Sequence, residues 1–390
     1  MPRTNPKDEN RKSKIENSSP SAFGYSMPPE WHPHAATWLA WPHNVSDWPG
    51  KYGPIPWIFA EIVRLIAQGE HVNLFIPSTP KIRPAREISA LLTQAGVNLK
   101  NVTLIPQATD RIWTRDSGPI FLTRKKSSLQ SPAPLALVDF NFNAWAKYPD
   151  YKNDAQLPAV IAQRLKISRF NATYPAPSKL ETGNWKPETR FVLEGGSIDL
   201  NGGHAGGCLL TTEECLLSTT QQRNPNLTRD HIEATLRAYL GVAKVLWLSR
   251  GIAGDDTHGH VDDTARFLNP TTIVTSVETN KNDVNFLPMR ENLRRLRRFR
   301  DTRNRPFTIV ELPLPKPVIF QGQRLPASYA NFYFCNAGLL VPVFNDPHDT
   351  LALITLASLV KDRPIIPVYA RDLVWGLGTL HCLTQQQPAI

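Results

Sequence analysis

Two hydrophobic periodicities alternate along this chain and predict a series of helix–strand pairs. Segments with apolar residues every third or fourth position are typical of helices, and the short apolar runs after them are typical of strands. For the best-marked helix, Thr228 is the expected N-cap and Gly241 lies just past its end. The pattern therefore predicts an α/β protein, with helices at 58–67, 85–95, 228–240 and 350–361 before strands at 71–76, 103–106, 245–248 and 365–369.

Polar segments interrupt these units at roughly even intervals. Gaps of 75, 78, 66, 71 and 51 residues separate one marked residue in each segment, namely Trp41, Asp116, Glu194, His260, Asn331 and Cys382. A period of about 70 residues suits an α/β repeat closed into a ring, in which each unit delivers one polar loop to a shared centre. An ordinary doubly wound sheet is the competing interpretation, although no glycine-rich phosphate loop is visible.

Composition narrows the class of protein. The 390 residues are 41% hydrophobic and 20% charged, and no apolar run approaches the roughly 18 residues that a membrane span needs. Residues 1–25 are polar and lack an apolar core, which predicts a disordered tail and no signal peptide. Four cysteines without paired spacing predict reduced thiols and a cytoplasmic location. Cys208, Cys215 and Cys335 are predicted in core strands.

The basic residues are concentrated in one segment. Residues 290–305 hold eight arginines against two acidic residues, which accounts for +6 of the net charge of +10. Leu293, Leu296 and Phe299 recur at every third position, so this segment is predicted to be one amphipathic helix with a basic outer face. A solvated face and an anion or RNA patch are the two interpretations, and no RNA-binding or zinc-finger pattern accompanies it. We therefore predict no nucleic-acid partner.

A cysteine close to the chain end is the first candidate for chemistry. Cys382 follows a bend opened by Gly376 and Gly378 and precedes the polar run 384–387. A thiol exposed on such a turn is a candidate nucleophile. The alternative is a small buried hydrophobic residue, which is what most free cysteines are.

Two carboxylates lie in segments that favour a site. Asp116 follows Arg115 directly and either pairs with it, caps the following turn or binds a ligand. Glu194 ends an apolar strand before two glycines, which let a ligand or another backbone come close. A carboxylate buried there needs a partner, and a histidine is a natural one.

The densest cluster of titratable residues lies at 255–266. In an extended strand, four of them would share one face: Asp256, His258, His260 and Asp262. Such a face could bind a divalent metal and make the chain a metal-dependent hydrolase. Alternatively, His260 is a general acid/base and Asp262 holds the substrate. A solvated polar loop is a third interpretation.

Together these residues suggest one reaction. A thiol, a histidine and an orienting carboxylate are the groups of nucleophilic catalysis. Two further aspartates would repel the oxyanion that develops from a peptide carbonyl, whereas they suit a planar, cationic guanidinium. The chemistry therefore points to substitution at a guanidinium carbon.

The combined motifs resemble the agmatine deiminase/bacterial peptidylarginine deiminase family, in family order from residue 27 onward. They are MPPEW at 27–31, WLAWPH at 38–43, WTRDSGP at 113–119, FNAW at 142–145, LEGGS at 193–197, GHVD at 259–262, LPASYAN at 325–331 and HCLTQQQP at 381–388. The resemblance implies one catalytic domain at 26–390 with the pentein fold, a five-bladed α/β propeller with pseudo-fivefold symmetry. It implies no metal and no cofactor.

The resemblance also assigns roles to residues. Cys382 would be the nucleophile and His260 the general acid/base, while Glu194 would support both the guanidinium and the histidine. Asp116 and Asp262 would grip the guanidinium nitrogens, and Trp113 would belong to the substrate-binding wall. The implied activity is that of a hydrolase of linear amidines, which converts agmatine to N-carbamoylputrescine and ammonia on the way to putrescine. Arginine or peptidyl-arginine is the alternative substrate, no membrane is involved, and a homo-oligomer is left open.

Departures from the family pattern concern the far end of the substrate. Leu377 stands in a bend that commonly has three glycines, no glycine follows Trp145, and Arg111 stands where an acidic residue is common. Residues 107–113 and the stretch after Trp145 are predicted to form the pocket mouth. Agmatine ends in an ammonium, for which an aromatic and acidic wall is expected, from Trp41, Trp113, Trp145 and Asp110. Arg111 would repel that ammonium if it pointed inward.

Overall fold

The computed structural model describes residues 19–78, 85–124, 133–174, 189–202 and 206–390. Within these ranges most helices are short and lie between strands. They are α1 (Ile55–Ile66), α2 (Ala85–Gln94), α3 (Thr114–Ser117), α4 (Leu157–Leu165), α5 (Glu213–Leu217), α6 (Arg229–Leu240), α7 (Phe286–Arg298), α8 (Asp349–Leu359) and α9 (Leu380–Leu383). None of the described helices is both long and apolar enough to cross a membrane.

The strands are also short, with at most seven residues in those described. They are β1 (His34–Ala40), β2 (His71–Ile76), β3 (Val102–Pro106), β4 (Ile120–Thr123), β5 (Leu135–Asp139), β6 (Ser168–Asn171), β7 (Thr173–Tyr174), β8 (Thr189–Arg190), β9 (Asp199–Leu200), β10 (Cys208–Thr212), β11 (Lys244–Leu248), β12 (Ala265–Asn269), β13 (Thr272–Val277), β14 (Thr308–Pro313), β15 (Ile319–Phe320), β16 (Gln323–Arg324), β17 (Tyr333–Cys335), β18 (Gly338–Val343), β19 (Ile365–Tyr369) and β20 (Gln385–Pro388).

Five sheets of the described residues share one connectivity. Their strand orders are β20-β1-β2-β3, β4-β5-β6, β9-β10-β11, β12-β13-β14 and β17-β18-β19. In each sheet one strand pairs antiparallel with the first neighbour and parallel with the next. The parallel step is a crossover through one main helix: α1, α4, α6, α7 or α8. The predicted α/β repeat is therefore present, and its period is one sheet with one crossover helix.

The periodic segments predicted most of the elements correctly. Strands β2 and β19 have the predicted bounds, and α1, α2 and α8 begin or end within three residues of the prediction. Helix α6 has the expected ends, since the Thr228 side chain accepts the His231 N–H and Gly241 has φ +67°. The apolar faces of these elements pack into clusters of buried residues between the sheets and helices.

Two predicted elements are wrong in part. Cys215 lies in α5 and not in a strand, because the Thr212 side chain accepts the Cys215 N–H and starts a helix there. The basic segment is helical only to Arg298, where α7 ends. Beyond it the Asp301 side chain accepts the backbone N–H groups of Arg303 and Arg305, which favours a turn over a helix.

The extended strand considered for residues 256–262, on which the shared metal-binding face depends, does not form. The Asp255 side chain accepts the backbone N–H groups of Thr257, Gly259 and His260, so these donors are not available to a strand ladder. His258 and Gly259 have φ values of +63° and +96°, which no extended strand contains. The segment is a series of turns that ends in a short 3₁₀ helix, Val261–Asp263.

The predicted tail of residues 1–25 lies largely outside the described residues. Its last part is folded, since Pro20–Phe23 form a 3₁₀ helix and Tyr25 is buried. At the other end of the chain, β20 pairs antiparallel with β1, with Trp38 opposite Gln385. The segment just before β20, which contains Cys382, is thereby fixed against the first strand.

Candidate active site

The site residues occupy equivalent positions in the five repeats. In each sheet a short helix, 3₁₀ turn or loop comes just before the strand that pairs antiparallel, and each of these segments carries one polar group of the site. These groups are Asp116 before β4, Glu194 before β9, His260 before β12, Asn331 before β17 and Cys382 before β20. The prediction that each unit delivers one polar segment is confirmed for these five. Trp41 is different, because it follows β1 and is buried in the core.

A pocket of about 240 Å³ gives access to the thiol. Its lining includes Arg111, Trp113, Asp116, Trp145, Leu377 and Cys382. Cys382 is only 7% exposed, so the predicted exposed thiol is in fact a buried one that borders a pocket. The predicted mouth is confirmed in its main parts, since residues from both 107–113 and the stretch after Trp145 line this pocket.

Asn331 holds the segment that carries the thiol. Its side-chain amide donates to Cys382 Sγ at 3.2 Å and to Asp263 Oδ1 at 2.9 Å. Its carbonyl oxygen accepts from Thr379 Oγ1 at 2.7 Å and from the His381 N–H at 3.0 Å. All four residues that bind this amide are buried, so these hydrogen bonds fix the position of the sulfur relative to the sheet that contains β17.

Asp116 is fixed by donors from two other segments. Trp145 Nε1 donates to its Oδ2 and the Gly196 N–H donates to its Oδ1, both at 2.9 Å. Burial raises the pKa of Asp116; His260 lowers it, and the nearby carboxylates of Asp262 and Glu194 raise it further. Burial and the neighbouring carboxylates therefore outweigh the effect of His260 on Asp116.

Glu194 lies between a buried arginine and the histidine. Arg223 Nε donates to Glu194 Oε1 at 3.1 Å, and His260 Nε2 lies 3.6 Å from Oε2. Burial alone would raise the pKa of Glu194, but Arg223 and His260 outweigh it and lower the pKa to about 2. The predicted histidine partner is present. The arginine is one that the sequence did not reveal.

His260 lies close to the carboxylates of Asp116 and Glu194 without a hydrogen bond to either. Its Nδ1 lies 3.8 Å from Asp116 Oδ2, and neither ring nitrogen has a hydrogen-bond partner among the described residues. Burial lowers the pKa of His260, while Asp116, Cys215 and Glu194 together raise it well above its ordinary value. The ring is therefore suited to carry a proton at neutral pH.

Asp262 contacts the nucleophile candidate and a second histidine. Its Oδ2 lies 2.7 Å from His381 Nδ1 and 3.6 Å from Cys382 Sγ, while its Oδ1 is buried without a partner among the described atoms. Burial raises the pKa of Asp262, but the His381 ring, together with His260 and Arg266, outweighs that effect and lowers it. The negative charge of Asp262 therefore persists beside the thiol.

The free site has more negative than positive charge around the sulfur. Burial raises the pKa of the Cys382 thiol well above its ordinary value, and Asp262, Asp263 and Asp116 raise it further. A cation that entered the pocket would relieve this excess, lower the pKa of the thiol and satisfy the unpaired oxygens of Glu194 and Asp262. The site is therefore built to receive a positive charge.

The mouth of the pocket differs from the predicted far wall. Trp113 and Trp145 line it as predicted, but Trp41 and Asp110 do not. Asp110 instead accepts the Asn153 N–H at 2.8 Å. The acidic groups of the mouth are Asp47 and Asp256, and sequence reasoning missed the first and assigned the second to a metal face.

Arg111 lines the pocket, but its charge is already paired. Its guanidinium donates to Asp47 Oδ1 at 2.7 Å and to both oxygens of Asp150 at 3.2 Å, and it lies over the Tyr148 ring at 4.4 Å. Asp256 is paired with Lys147 and accepts from the Tyr148 hydroxyl at 2.6 Å. The lining carboxylates, Asp47, Asp116 and Asp256, outnumber the lining arginine.

One trio of described residues has donor atoms close enough for a metal ion. Glu194, Cys215 and His260 offer atoms that all lie within 4.8 Å of one another. Arg223 already binds one oxygen of that glutamate, so only its other oxygen is left for a ligand. The face predicted from Asp256, His258, His260 and Asp262 does not form, because the segment is not a strand.

A thiol, an imidazole and several carboxylates around one pocket are the groups that a cysteine enzyme for cationic substrates needs. The family model of the Porphyromonas-type peptidyl-arginine deiminases matches residues 26–388, so the chain belongs to this family. The agmatine deiminase of Stutzerimonas stutzeri (strain A1501) is 32% identical over 395 aligned positions, which cover 95% of this chain and 98% of the relative.

Solved structures agree with this assignment. The agmatine deiminase of Enterococcus faecalis superposes with a TM-score of 0.80 at 28% identity and covers 95% of this chain and 98% of its own. A C. jejuni agmatine deiminase variant with substrate bound has a TM-score of 0.76 at 28% identity, with coverages of 93% and 96%. This chain thus has both the sequence and the fold of the family.

Proposed function

We propose that this chain is a hydrolase of linear amidines that converts agmatine to N-carbamoylputrescine and ammonia. The observation that carries the choice of substrate is the charge of the pocket. Its lining has three carboxylates and one arginine; Arg111 is paired with Asp47 and Asp150, and Asp256 is paired with Lys147, so the lining offers no unpaired cation to a substrate carboxylate. Agmatine is cationic at both ends, so it fits this lining better than a substrate with a free carboxylate does. The agmatine deiminases among its relatives support the same choice.

The five repeats support the finer fold assignment. Five sheets of one connectivity, each with a site group just before its antiparallel strand, are what a pentein propeller with pseudo-fivefold symmetry requires. We therefore propose that the sheets are the five blades and that the site lies at their common centre. The single catalytic domain would then begin near residue 26.

The guanidinium would bind among the carboxylates. Glu194 Oε2 and Asp262 Oδ1 have no hydrogen-bond partner among the described atoms, and Asp116 is held by donors on both of its oxygens. Charge-assisted hydrogen bonds from guanidinium nitrogens would satisfy these groups. Trp113 borders the same pocket and offers an aromatic face to the cation.

The first half of the reaction would form a bond to sulfur. Binding of the cation lowers the pKa of the Cys382 thiol, which releases its proton to solvent water, and the thiolate attacks the guanidinium carbon. The tetrahedral adduct then collapses, the carbon–nitrogen bond breaks and the departing ammonia takes a proton from the imidazolium of His260. An S-alkylthiouronium remains on the enzyme.

The second half would release the product. His260, now neutral, takes a proton from a water molecule that attacks the thiouronium carbon. The carbon–sulfur bond breaks, and the departing Cys382 sulfur takes up the hydroxyl proton of the adduct. The neutral ureido product and the resting thiol form together. Every step uses side chains of this protein and water, and none needs a metal or an organic cofactor.

The distal ammonium of agmatine has an acidic acceptor at the mouth. Asp47 lines the pocket, its Oδ1 binds Arg111, and its Oδ2 is buried without a partner among the described atoms. An ammonium at this oxygen would pair with a carboxylate and contact the aromatic rings nearby. We therefore propose that Asp47 takes the role that the sequence assigned to Asp110.

A substrate panel tests this proposal. Ammonia release is measured with agmatine, free arginine and an arginyl peptide, with Cys382→Ser as the control for any contaminating activity. We expect kcat/KM to be highest for agmatine and the reaction to yield N-carbamoylputrescine by mass spectrometry. Faster turnover of arginine than of agmatine would contradict the substrate and leave the reaction intact.

Arginine deimination is the second candidate, and one observation favours it. Arg111 lines the pocket and could bind a carboxylate if its contacts with Asp47 and Asp150 were given up. An Arg111→Gln variant separates the two substrates. It should lower arginine turnover selectively if Arg111 binds the substrate carboxylate, and should not do so if the arginine only positions Asp47.

A further inference from the structure

We propose that Glu30 and His381 form, with Asp262, a buried relay of charges that positions the guanidinium-binding carboxylate and limits its effect on the Cys382 thiol. This inference rests on the proposed function, because it assigns positioning residues to that same site. It concerns the MPPEW motif at 27–31, which contains Glu30 and has no role in the mechanism described above.

His381 links two buried carboxylates. Its Nδ1 lies 2.7 Å from Asp262 Oδ2, and its Nε2 lies 2.7 Å from Glu30 Oε2. The three side chains are at most 4% exposed. A ring that contacts an ionised carboxylate at each nitrogen must donate at both, and only the imidazolium form can do so. His381 therefore carries a positive charge next to the nucleophile in sequence and in space.

Glu30 is itself fixed by cations and by a backbone donor. Arg266 Nη2 lies 2.9 Å and Arg115 Nη2 lies 3.2 Å from Glu30 Oε2. The Phe334 N–H donates to Glu30 Oε1 at 2.9 Å. Burial alone would raise the pKa of Glu30, but the two arginines and His381 hold this pKa well below its ordinary value. The far end of the relay is thus a rigid anion.

The two oxygens of the Asp262 carboxylate have different contacts. His381 binds Oδ2, the oxygen that lies 3.6 Å from Cys382 Sγ, while Oδ1 stays unpaired and available for a guanidinium nitrogen. Without the imidazolium, the full charge of Asp262 would face the sulfur and disfavour the thiolate. The relay therefore both orients Asp262 and makes the thiol easier to ionise.

The charged and titratable groups that face His381 come from several segments. They are Glu30, Arg115, Asp199, Asp262, Arg266 and the thiol of Cys382. With His381 protonated, three cations match the three anions Glu30, Asp199 and Asp262. With His381 neutral, one buried anion would be left without a partner, which is strongly unfavourable.

The test compares two buried glutamate–histidine pairs. Glu30→Gln and His381→Asn remove the relay. Glu70→Gln is the matched control, because Glu70 Oε1 lies 3.0 Å from His34 Nδ1 in an equally buried pair outside the pocket lining. We expect both relay variants to lower kcat/KM at least about tenfold, the loss expected for one charge-assisted hydrogen bond. We also expect alkylation of Cys382 by iodoacetamide to require a higher pH than in wild type and in Glu70→Gln.

Two results would overturn the relay. One is an alkylation profile of Glu30→Gln identical to that of wild type in a folded variant. The other is a ¹⁵N spectrum of histidine-labelled wild-type protein in which His381, assigned by its loss in His381→Asn, has an unprotonated ring nitrogen at neutral pH. The spectrum decides the matter even if Glu30→Gln does not fold. Neither measurement uses a substrate, so a failure of the proposed agmatine activity would be recognised separately.

Discussion

Replacing Gly196 with alanine adds a single methyl group that should lower activity while the protein still folds. A Cβ atom added there would lie 2.5 Å from His260 Nδ1, 2.9 Å from Asp116 Oδ1 and 3.0 Å from Asp262 Oδ2. The backbone of Gly196 is outside the left-handed region, so alanine is compatible with its φ. Alanine also keeps the N–H that donates to Asp116. The perturbation is therefore steric and is directed at three groups of the site.

The size of the effect follows from these distances. Ordinary carbon contacts begin near 3.4 Å, so the imidazole must move by roughly 1 Å and the two carboxylates by about half as much. A misplacement of about 1 Å can cost about 100-fold in rate. A factor of 100 corresponds to about 2.8 kcal/mol of lost transition-state stabilisation. We expect Gly196→Ala to lower kcat/KM for agmatine by at least this factor.

The assay needs a control that adds the same methyl group elsewhere. Gly53→Ala provides it, since a Cβ at Gly53 meets nothing within 4 Å and its backbone is also outside the left-handed region. Steady-state ammonia release and thermal unfolding are measured for both variants and for wild type. Wild-type kinetics in Gly196→Ala would refute the reasoning, because the three side chains would then not need the positions described here.

Three further predictions concern the mouth, the backbone and metals. Burial raises the pKa of Asp47 to about 6, with Arg111 lowering it and Asp150 raising it, so the carboxylate loses its charge as the pH falls through that value. The KM of the wild type for agmatine should rise below pH 6. The KM of Asp47→Asn should be high already at neutral pH and nearly independent of pH. A KM of this variant that follows pH as in the wild type would remove Asp47 from the substrate site. Ala146 is exposed and has φ +53°, so Ala146→Gly should increase the free energy of unfolding in urea by about 1 kcal/mol, and a decrease would contradict the strain. Ammonia release should be unchanged after dialysis against a chelator, whereas a loss that zinc restores would revive the metal-dependent hydrolase.

The sequence predicted the regular elements well where local signals agreed. The helix capped by Thr228 and ended by Gly241 has both its cap and its left-handed glycine, and β2 has the predicted bounds. The elements that were predicted wrongly share a local cause: aspartate side chains accept hydrogen bonds from the backbone N–H groups that a strand or helix would use. Asp255 accepts three backbone N–H groups and prevents the strand considered for 256–262, and Asp301 accepts two beyond the end of the basic helix.

The site was predictable in its residue types but not in its supporting contacts. Cys382, His260 and Glu194 lie in distinctive polar segments that interrupt apolar ones. Arg223 is a single charged residue in a loop, and Glu30 lies in the MPPEW motif, to which the sequence assigned no role. Only the tertiary fold brings these two residues to buried partners more than 25 residues away. The contacts at the pocket mouth were not predictable for the same reason. Asp47 and Arg111 are 64 residues apart in the sequence, and no local pattern predicts that pair.

The covalent intermediate on Cys382 is the central claim. The most direct measurement is intact-protein mass spectrometry of wild type quenched with acid during turnover of agmatine, with peptide mapping of the modified residue. The mechanism predicts a thiouronium adduct on Cys382, its absence from Cys382→Ser, and loss of nearly all turnover in that folded variant. Full activity of Cys382→Ser, or an adduct mapped to another cysteine, would contradict it.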